Sequence, residues 1–485
     1  MNSLREMRRL RRRVLIGAPD RSLTGFSGMV AVTELVDRLK MITVLDAVIG
    51  PIKTRNRGHS GGELLVGLAA AQLAGEDFLV GLDRYRADAA GQVLAPVAGL
   101  CSTTAAGLAR RFSEGQWRAV ETGIGDIGTR MLAALPVARA AALCETVTID
   151  LDTTDVEVYG RRKRGVAYNY QGQRCGRPHV ATWAETATAL AADLMSGNED
   201  PRGHAPELLN RALAALPAPA RLGKIRLRTD AGYFAGELAR AALAADVEFA
   251  IGAKRIAPLW RLLDGVAETG WIDALDMDGA QVAVADYRPG WWPASTWLLI
   301  RRVRLDVAAG AVSADPRARR RRTLHPEQRV LPLAEIAGAD AVYGYSFIMT
   351  NLDVSTGEKA ATVEHWYRHR TQVENIFRDS KIGAALRHLP SGYPQVNTAW
   401  MWGALLAVNI AGWLHQLTAT TGPGARLFGH GVRGGQAMIA TLRHRLIRVP
   451  ARLIRHAGTL TLRLPPGHQL LNEILARIRA LPATP

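Results

Sequence analysis

The stretch Tyr367–Lys381, YRHRTQVENIFRDSK, is the one on which the reading of this chain turns. Neither Pro nor Gly interrupts it, and charged and polar residues dominate, so it reads as one helix. Arg370, Glu374 and Lys381 follow Tyr367 by three, seven and fourteen residues. At 3.6 residues per turn those positions form one stripe holding a phenol, a guanidinium, a carboxylate and an ammonium. Val373, Ile376 and Phe377 lie beside the stripe and can dock the helix on a core. Taken alone, the pattern is equally that of a solvated face laced with salt bridges. The rest of the chain decides between the two.

Upstream, two short stretches alternate with period two. In Thr146–Leu151 (TVTIDL), Val147, Ile149 and Leu151 face one way, while Thr148, Asp150 and Asp152 face the other. A turn, VEVY, the basic run RRKR and a strand pair around Gly165–Tyr170 and His179–Thr182 follow. In Ile225–Asp230 (IRLRTD), Arg226, Arg228 and Asp230 share a face. Gly232, a helix over Phe234–Ala244 and a strand over Val247–Ile251 come next. Asp230 therefore ends a strand in a strand–turn–helix unit, where open α/β sheets place their sites. Two acids at strand ends and one on a later helix can meet at one sheet edge, so Asp152, Asp230 and Glu374 form the candidate triad. Carboxylates are hard ligands that hold Mg²⁺ while leaving it waters and phosphate oxygens. Two such ions about 4 Å apart serve in-line phosphodiester transfer, and no Ser or Cys nucleophile is needed. A lone Asp at a strand end is usually a turn or helix cap. Here the element order gives the pair more weight. Asp150 shares the face of Asp152, and Asp155 follows closely, so the first acid has neighbours that compete for the role.

The order Tyr367, Arg370, Glu374, Lys381 resembles the Y-x2-R-x3-E-x6-K signature of insertion-sequence DDE transposases, with every position filled. The resemblance spans roughly residues 60–480 and looks closest to insertion-sequence family 1380. GEDFLVGLDRYRAD (75–88), SGN (196–198), TNL (350–352) and Asn409 also fit it. It implies an α/β fold: an RNase H-like mixed sheet with flanking helices, a β-rich insertion and a helical N-terminal domain. It makes Glu374 the third metal-binding carboxylate and favours Asp152, followed by Thr153 and Thr154, as the first. Tyr367, Arg370 and Lys381 are then expected on DNA near the scissile bond, with Arg161, Arg162, Lys163 and Arg164 on the backbone. The implied cofactor is Mg²⁺, two ions, with Mn²⁺ substituting. The implied partners are double-stranded DNA carrying terminal inverted repeats, target DNA, and a second copy of the chain in a homodimeric synaptic complex. Related transposases stack a flipped base on an aromatic of a β-insertion. Trp291 and Trp292, in RPGWWPAS, are the candidates here, although core packing is the commoner use of such residues.

Composition agrees without being specific. The 485 residues call for more than one core. Apolar content is 48% and the formal net charge is +17, which points to a polyanionic partner. Arginine clusters stand at 8–13, 161–164 and 317–322. Cys101, Cys144 and Cys175 fit neither a disulfide framework nor a zinc cluster. No stretch reads as a signal peptide or membrane span, so a cytoplasmic, nucleoid-associated protein is expected. The chain divides into a basic arm (1–25), a helical DNA-binding domain (26–142), a first core part with Asp152 and Asp230 (143–254), the β-rich insertion (255–342), a second core part with Glu374 (343–420) and a C-terminal helical region (421–485). Two other functions share these features. One is a DNA-binding regulator or domesticated transposase without strand transfer, and the other is a nuclease that cuts without joining.

Overall fold

The computed structural model describes residues 14–55, 57–305, 342–418 and 438–482. The arginine runs at 8–13 and 317–322 and the Gly-rich linker at 422–435 lie outside them. A two-residue strand, β1 (Leu23–Thr24), opens the described chain, and helices then fill residues 29–145. One of them, Gly61–Ala74, starts in a capping box, with Ser60 accepting from the Glu63 amide and the Glu63 side chain accepting from the Ser60 amide.

The sheet follows. Its strands are β2 (Thr146–Thr153), β3 (Val156–Glu157), β4 (Ala167–Tyr168), β5 (Arg174–Trp183), β6 (Thr188–Ser196), β7 (Lys224–Thr229), β8 (Glu248–Ala253), β9 (Ile272–Asp273), β10 (Ala280–Ala285), β11 (Trp297–Leu305) and β12 (Val342–Thr350). Across the sheet the order is β6-β5-β2-β7-β8-β12-β11-β10-β9, with β3 and β4 beside the outer end of β5. β2, β5 and β6 run antiparallel in turn, whereas β7 and β8 are parallel to β2. β9 to β11 continue the same sheet beyond β12, by antiparallel pairing. The stretch after 255 thus contributes strands to the main sheet, because the β8 edge pairs with β12 and β12 carries the others.

Both faces of β2 are covered. Val147, Ile149 and Leu151 are fully buried. On the opposite face Thr148 and Asp150 are buried too, beneath the helix Gly357–Arg368, whose Trp366 indole N–H donates to the Thr148 hydroxyl (3.3 Å). The long helix Pro394–Thr418 packs Trp400, Trp402 and Trp413 into the interior. It lies against Gly61–Ala74, where Gly403 permits close approach, since a Cβ there would come within 2.8 Å of Leu68. Asn409 ties it to β6, accepting from the Ala189 amide (2.7 Å) and donating to its carbonyl (3.0 Å). The helices before β2 and the sheet therefore share one continuous core.

The expected single helix over 367–381 is two pieces. Gly357–Arg368 ends at Arg368, a new helix covers Thr371–Arg378, and a wider π-type turn covers Asp379–Gly383. The break at His369 and Arg370 has no Pro or Gly behind it. Side chains around it are held by tertiary partners: Arg368 by Glu364 and the Leu275 carbonyl, Arg370 by Asp152. His369 Nδ1 lies 2.6 Å from the His365 carbonyl oxygen. These contacts outweigh a helix propensity worth only tenths of a kcal/mol per residue. Among the described residues no helix is long and apolar enough to cross a membrane.

Candidate active site

The parallel pairing of β2 with β7 sets the site. Asp150 lies opposite Arg228 and Leu151 opposite Thr229, so one step further Asp152 and Asp230 leave neighbouring strand ends side by side. The two carboxylates are treated differently by their surroundings. Asp230 is partly exposed and accepts from the Gly232 amide (2.8 Å), capping the turn Ala231–Tyr233. The Asp152 side chain is 16% exposed. Burial pushes its carboxyl up to about 6; the Arg370 guanidinium opposes this, and the charge of Asp230 reinforces it. Close behind lies Tyr233, buried, with its hydroxyl unpartnered in the structure. Beside Tyr233 is His179, fully buried, 5.6 Å from it between ring centroids, with neither ring nitrogen partnered. Burial pushes the His179 imidazole down to about 3, which keeps it neutral.

Asp150, two residues earlier on the same face, is closed off. It is fully buried and receives a bidentate fork from Arg228, Nε to Oδ1 at 2.8 Å and Nη2 to Oδ2 at 2.9 Å. The third arm of Arg228 donates to the Trp366 carbonyl (2.7 Å). All oxygens and the facing cation are used internally, which leaves Asp152 as the open acid of β2.

Three stripe residues converge on these strand ends. The Tyr367 hydroxyl donates to the Thr229 carbonyl (3.1 Å), one residue before Asp230. Arg370 places Nη2 3.5 Å from Asp152 Oδ2, while its Nη1 is buried without a partner. Lys381 Nζ donates to the Asp155 carbonyl (2.6 Å), three residues past Asp152. Gly252 on β8 makes room for this meeting: a Cβ there would lie 2.6 Å from the Tyr367 hydroxyl and 2.7 Å from the Ala231 amide. Glu374 stands apart. It is exposed in the first turn of Thr371–Arg378, while Val373, Ile376 and Phe377 take the buried face. Among the described residues no three His, Cys, Asp or Glu side chains are grouped as metal ligands. The structure thus brings Asp152 and Asp230 together, with Tyr367, Arg370 and Lys381 around them, while Glu374 is exposed.

The family described as Transposase DDE domain group 1 matches residues 8–483. The chain belongs to that family. No curated protein matches this transposase. Among solved structures it is similar to a piggyBac transposase synaptic complex with hairpin DNA, at 10% identity and a TM-score of 0.39, covering 87% of this chain and 80% of that one.

The remaining candidates of this DDE transposase are scattered around the acid pair. Arg161, Arg162 and Arg164 are exposed, whereas Lys163 turns inward to donate to the Leu389 carbonyl. Trp291 is 45% exposed and sits against Phe234, four residues past Asp230 (centroids 5.1 Å). Trp292 is 4% exposed and covered by Phe234 and Phe249. Trp292 therefore packs in the core, and Trp291 is the more exposed of the two candidates. The sequence reading did not single out Arg228, Tyr233 or His179. Tyr233 had a local signal, an aromatic three residues after the second acid. Arg228 shares the face of Asp230 in the sequence, but its pairing with Asp150, like the place of His179, comes only from strand pairing.

Proposed function

We propose that this transposase cuts and joins DNA at the terminal inverted repeats of an insertion sequence, with Asp152, Asp230 and Glu374 as its acidic residues. The observation carrying this reading is the convergence of Tyr367, Arg370 and Lys381 on the strand ends that bear Asp152 and Asp230. The sheet order supports an RNase H-like core, with three antiparallel strands followed by two parallel ones and the first acid on the central strand. The four stripe residues support the Y-R-E-K assignment and, with it, insertion-sequence family 1380.

Asp152 and Asp230 suit a divalent cation. Their carboxylates crowd one another, burial holds Asp152 near 6, and a hard cation would relieve both strains. Mg²⁺ bound there would lower the cost of forming the attacking oxygen and of releasing the leaving one. The chain's own groups do the rest. Arg370 holds Asp152 in place with one nitrogen, and its guanidinium charge draws a phosphate toward the site. Lys381 fixes the loop after Asp152 by its backbone, and Tyr367 fixes the end of β7. Glu374 lies one helical turn beyond Arg370 and completes the acid set when DNA is bound. Synapsis of two ends calls for a homodimer on DNA, and the place of action is the chromosome.

A second reading, a regulator that binds the repeats without cutting, is favoured by one observation: Glu374 stands away from the two aspartates. The two readings separate in an assay of Mg²⁺-dependent cutting and joining of a terminal-repeat duplex by wild type and Glu374→Ala. Cutting and joining by wild type alone supports the transposase with Glu374 as third acid. Tight binding without cutting by either protein supports the regulator.

A further inference from the structure

The outer end of β5 carries a surface that the acid site does not use. β3 and β4 flank it, with Cys175 paired to Glu157 on one side and to Ala167 on the other. Tyr159 and Tyr170 in the connecting segments and Tyr168 at the end of β4 stand at 86%, 89% and 67% exposure. Arg161, Arg162 and Arg164 lie between Tyr159 and Tyr168 in the chain, all exposed. Three tyrosine rings in water within twelve residues need a reason, since each has a large apolar face with a polar handle.

The surface is built and held. Arg174 donates to the Gly160 and Lys163 carbonyls, folding the arginine loop over β5. The Arg164 amide donates to the Gly392 carbonyl (3.2 Å). Arg164 and Arg110 each lie over the half-exposed Tyr393 ring, at 5.4 and 5.0 Å. The turn after Tyr168 is stitched by Asn169, whose Oδ1 accepts from the Gln171 and Gln173 amides. Asn169 Nδ2 also donates to Asp155 (2.8 Å), the residue whose carbonyl receives Lys381. The surface is therefore continuous with the first acid's loop. One exposed acid shares it: Glu157 accepts from the Tyr159 hydroxyl (3.1 Å).

We infer that this aromatic and basic rim binds an unpaired DNA strand leading to the acid pair. The arginines meet phosphates in any DNA. The tyrosines need bases whose faces are free, and in a duplex those faces are covered by their stacked neighbours. Exposed rings on either side of a run of cations thus select single-stranded over double-stranded DNA. The inference takes DNA as partner from the proposed function but does not depend on cleavage.

The test uses the full chain in EDTA, with a labelled oligothymidine of about fifteen nucleotides and the corresponding duplex. Combined Tyr159→Ser, Tyr168→Ser and Tyr170→Ser should weaken single-strand binding by about tenfold or more. Duplex binding should change by less than about threefold. The three Tyr→Phe changes should restore single-strand affinity, because stacking needs the rings and not the hydroxyls. Equal loss on both DNAs would overturn the inference, as would an unmoved single-strand affinity. A fall in self-association on sedimentation with DNA binding intact would overturn it in favour of a protein contact. Asp152→Ala should bind the single strand as wild type does. If, in a parallel assay with Mg²⁺ in place of EDTA, that variant still cut DNA, the catalytic reading would fail and the stacking result would stand.

Discussion

The middle and the end of β2 carry the same side chain on the same face and put it to opposite uses. At the middle, Asp150 is fully buried and saturated by the fork of Arg228. At the end, Asp152 accepts from the Thr153 amide (2.7 Å), has one long contact from Arg370 and feels the charge of Asp230 beside it. The first arrangement satisfies a carboxylate; the second keeps one in want of a cation. What separates the two acids is their surroundings: Arg228 of β7 faces Asp150, whereas Asp152 lies beside Asp230, which follows the end of β7.

This contrast can be broken at either end. The largest effect is expected at Arg228→Met, which leaves Asp150 buried without its partner. It should lower stability by about 3–5 kcal/mol, read from denaturant midpoints. Combined Asp150→Leu and Arg228→Met should recover most of that loss, since a well-packed apolar pair can replace a buried ion pair. A double variant as unstable as the single one would show that Asp150 has another role.

Asp152→Asn should do the reverse. A carboxyl raised from 3.8 to about 6 on folding takes up a proton, so the folded state loses stability as pH climbs through that window. Removing the charge should stabilise the metal-free protein by about 2–3 kcal/mol at pH 7, with the gain gone below about pH 4. A melting temperature unchanged at both pH values would contradict the crowding of the two acids.

Arg370→Ala should act next. It removes a cation that draws Asp152 down, so the pH at which DNA cutting rises should move upward. Binding should also weaken and become less steeply salt-dependent, by about one unit of slope if Arg370 meets a phosphate. An unchanged salt series counts against that contact. The smallest effect is expected from Arg161→Ala with Arg162→Ala, both exposed. Affinity for duplexes of any sequence should fall by a similar modest factor, with no change in melting temperature.

Much of this was legible in the sequence, for local reasons. The alternation of TVTIDL and IRLRTD places both aspartates at strand ends, because period two is a property of neighbouring residues. The stripe Tyr367, Arg370, Lys381 meets those ends although its helix is broken, because the contacts depend on order more than on helical continuity. What was not legible is decided across the chain. That Asp150 is closed off rests on Arg228, which only parallel pairing brings opposite. The break at His369–Arg370 comes from partners on β2 and in the 275 region, not from a breaker residue. Trp291 and Trp292 are adjacent in a turn, and packing against Phe234 and Phe249 alone buries the second. Nothing in the residues after 255 distinguishes a separate β unit from strands that prolong the main sheet.

The most direct test of the account compares wild type, Asp152→Ala, Asp230→Ala and Asp150→Asn on a duplex ending in the element's terminal repeat, with Mg²⁺. Wild type should cut and join. The two Ala variants should bind the repeat but lose cutting by more than about 100-fold, beyond the cost of an outer-shell partner. Asp150→Asn, where it folds, should keep cutting. Cutting at the wild-type rate by either Ala variant, or loss of it in a well-folded Asp150→Asn alone, would contradict the account.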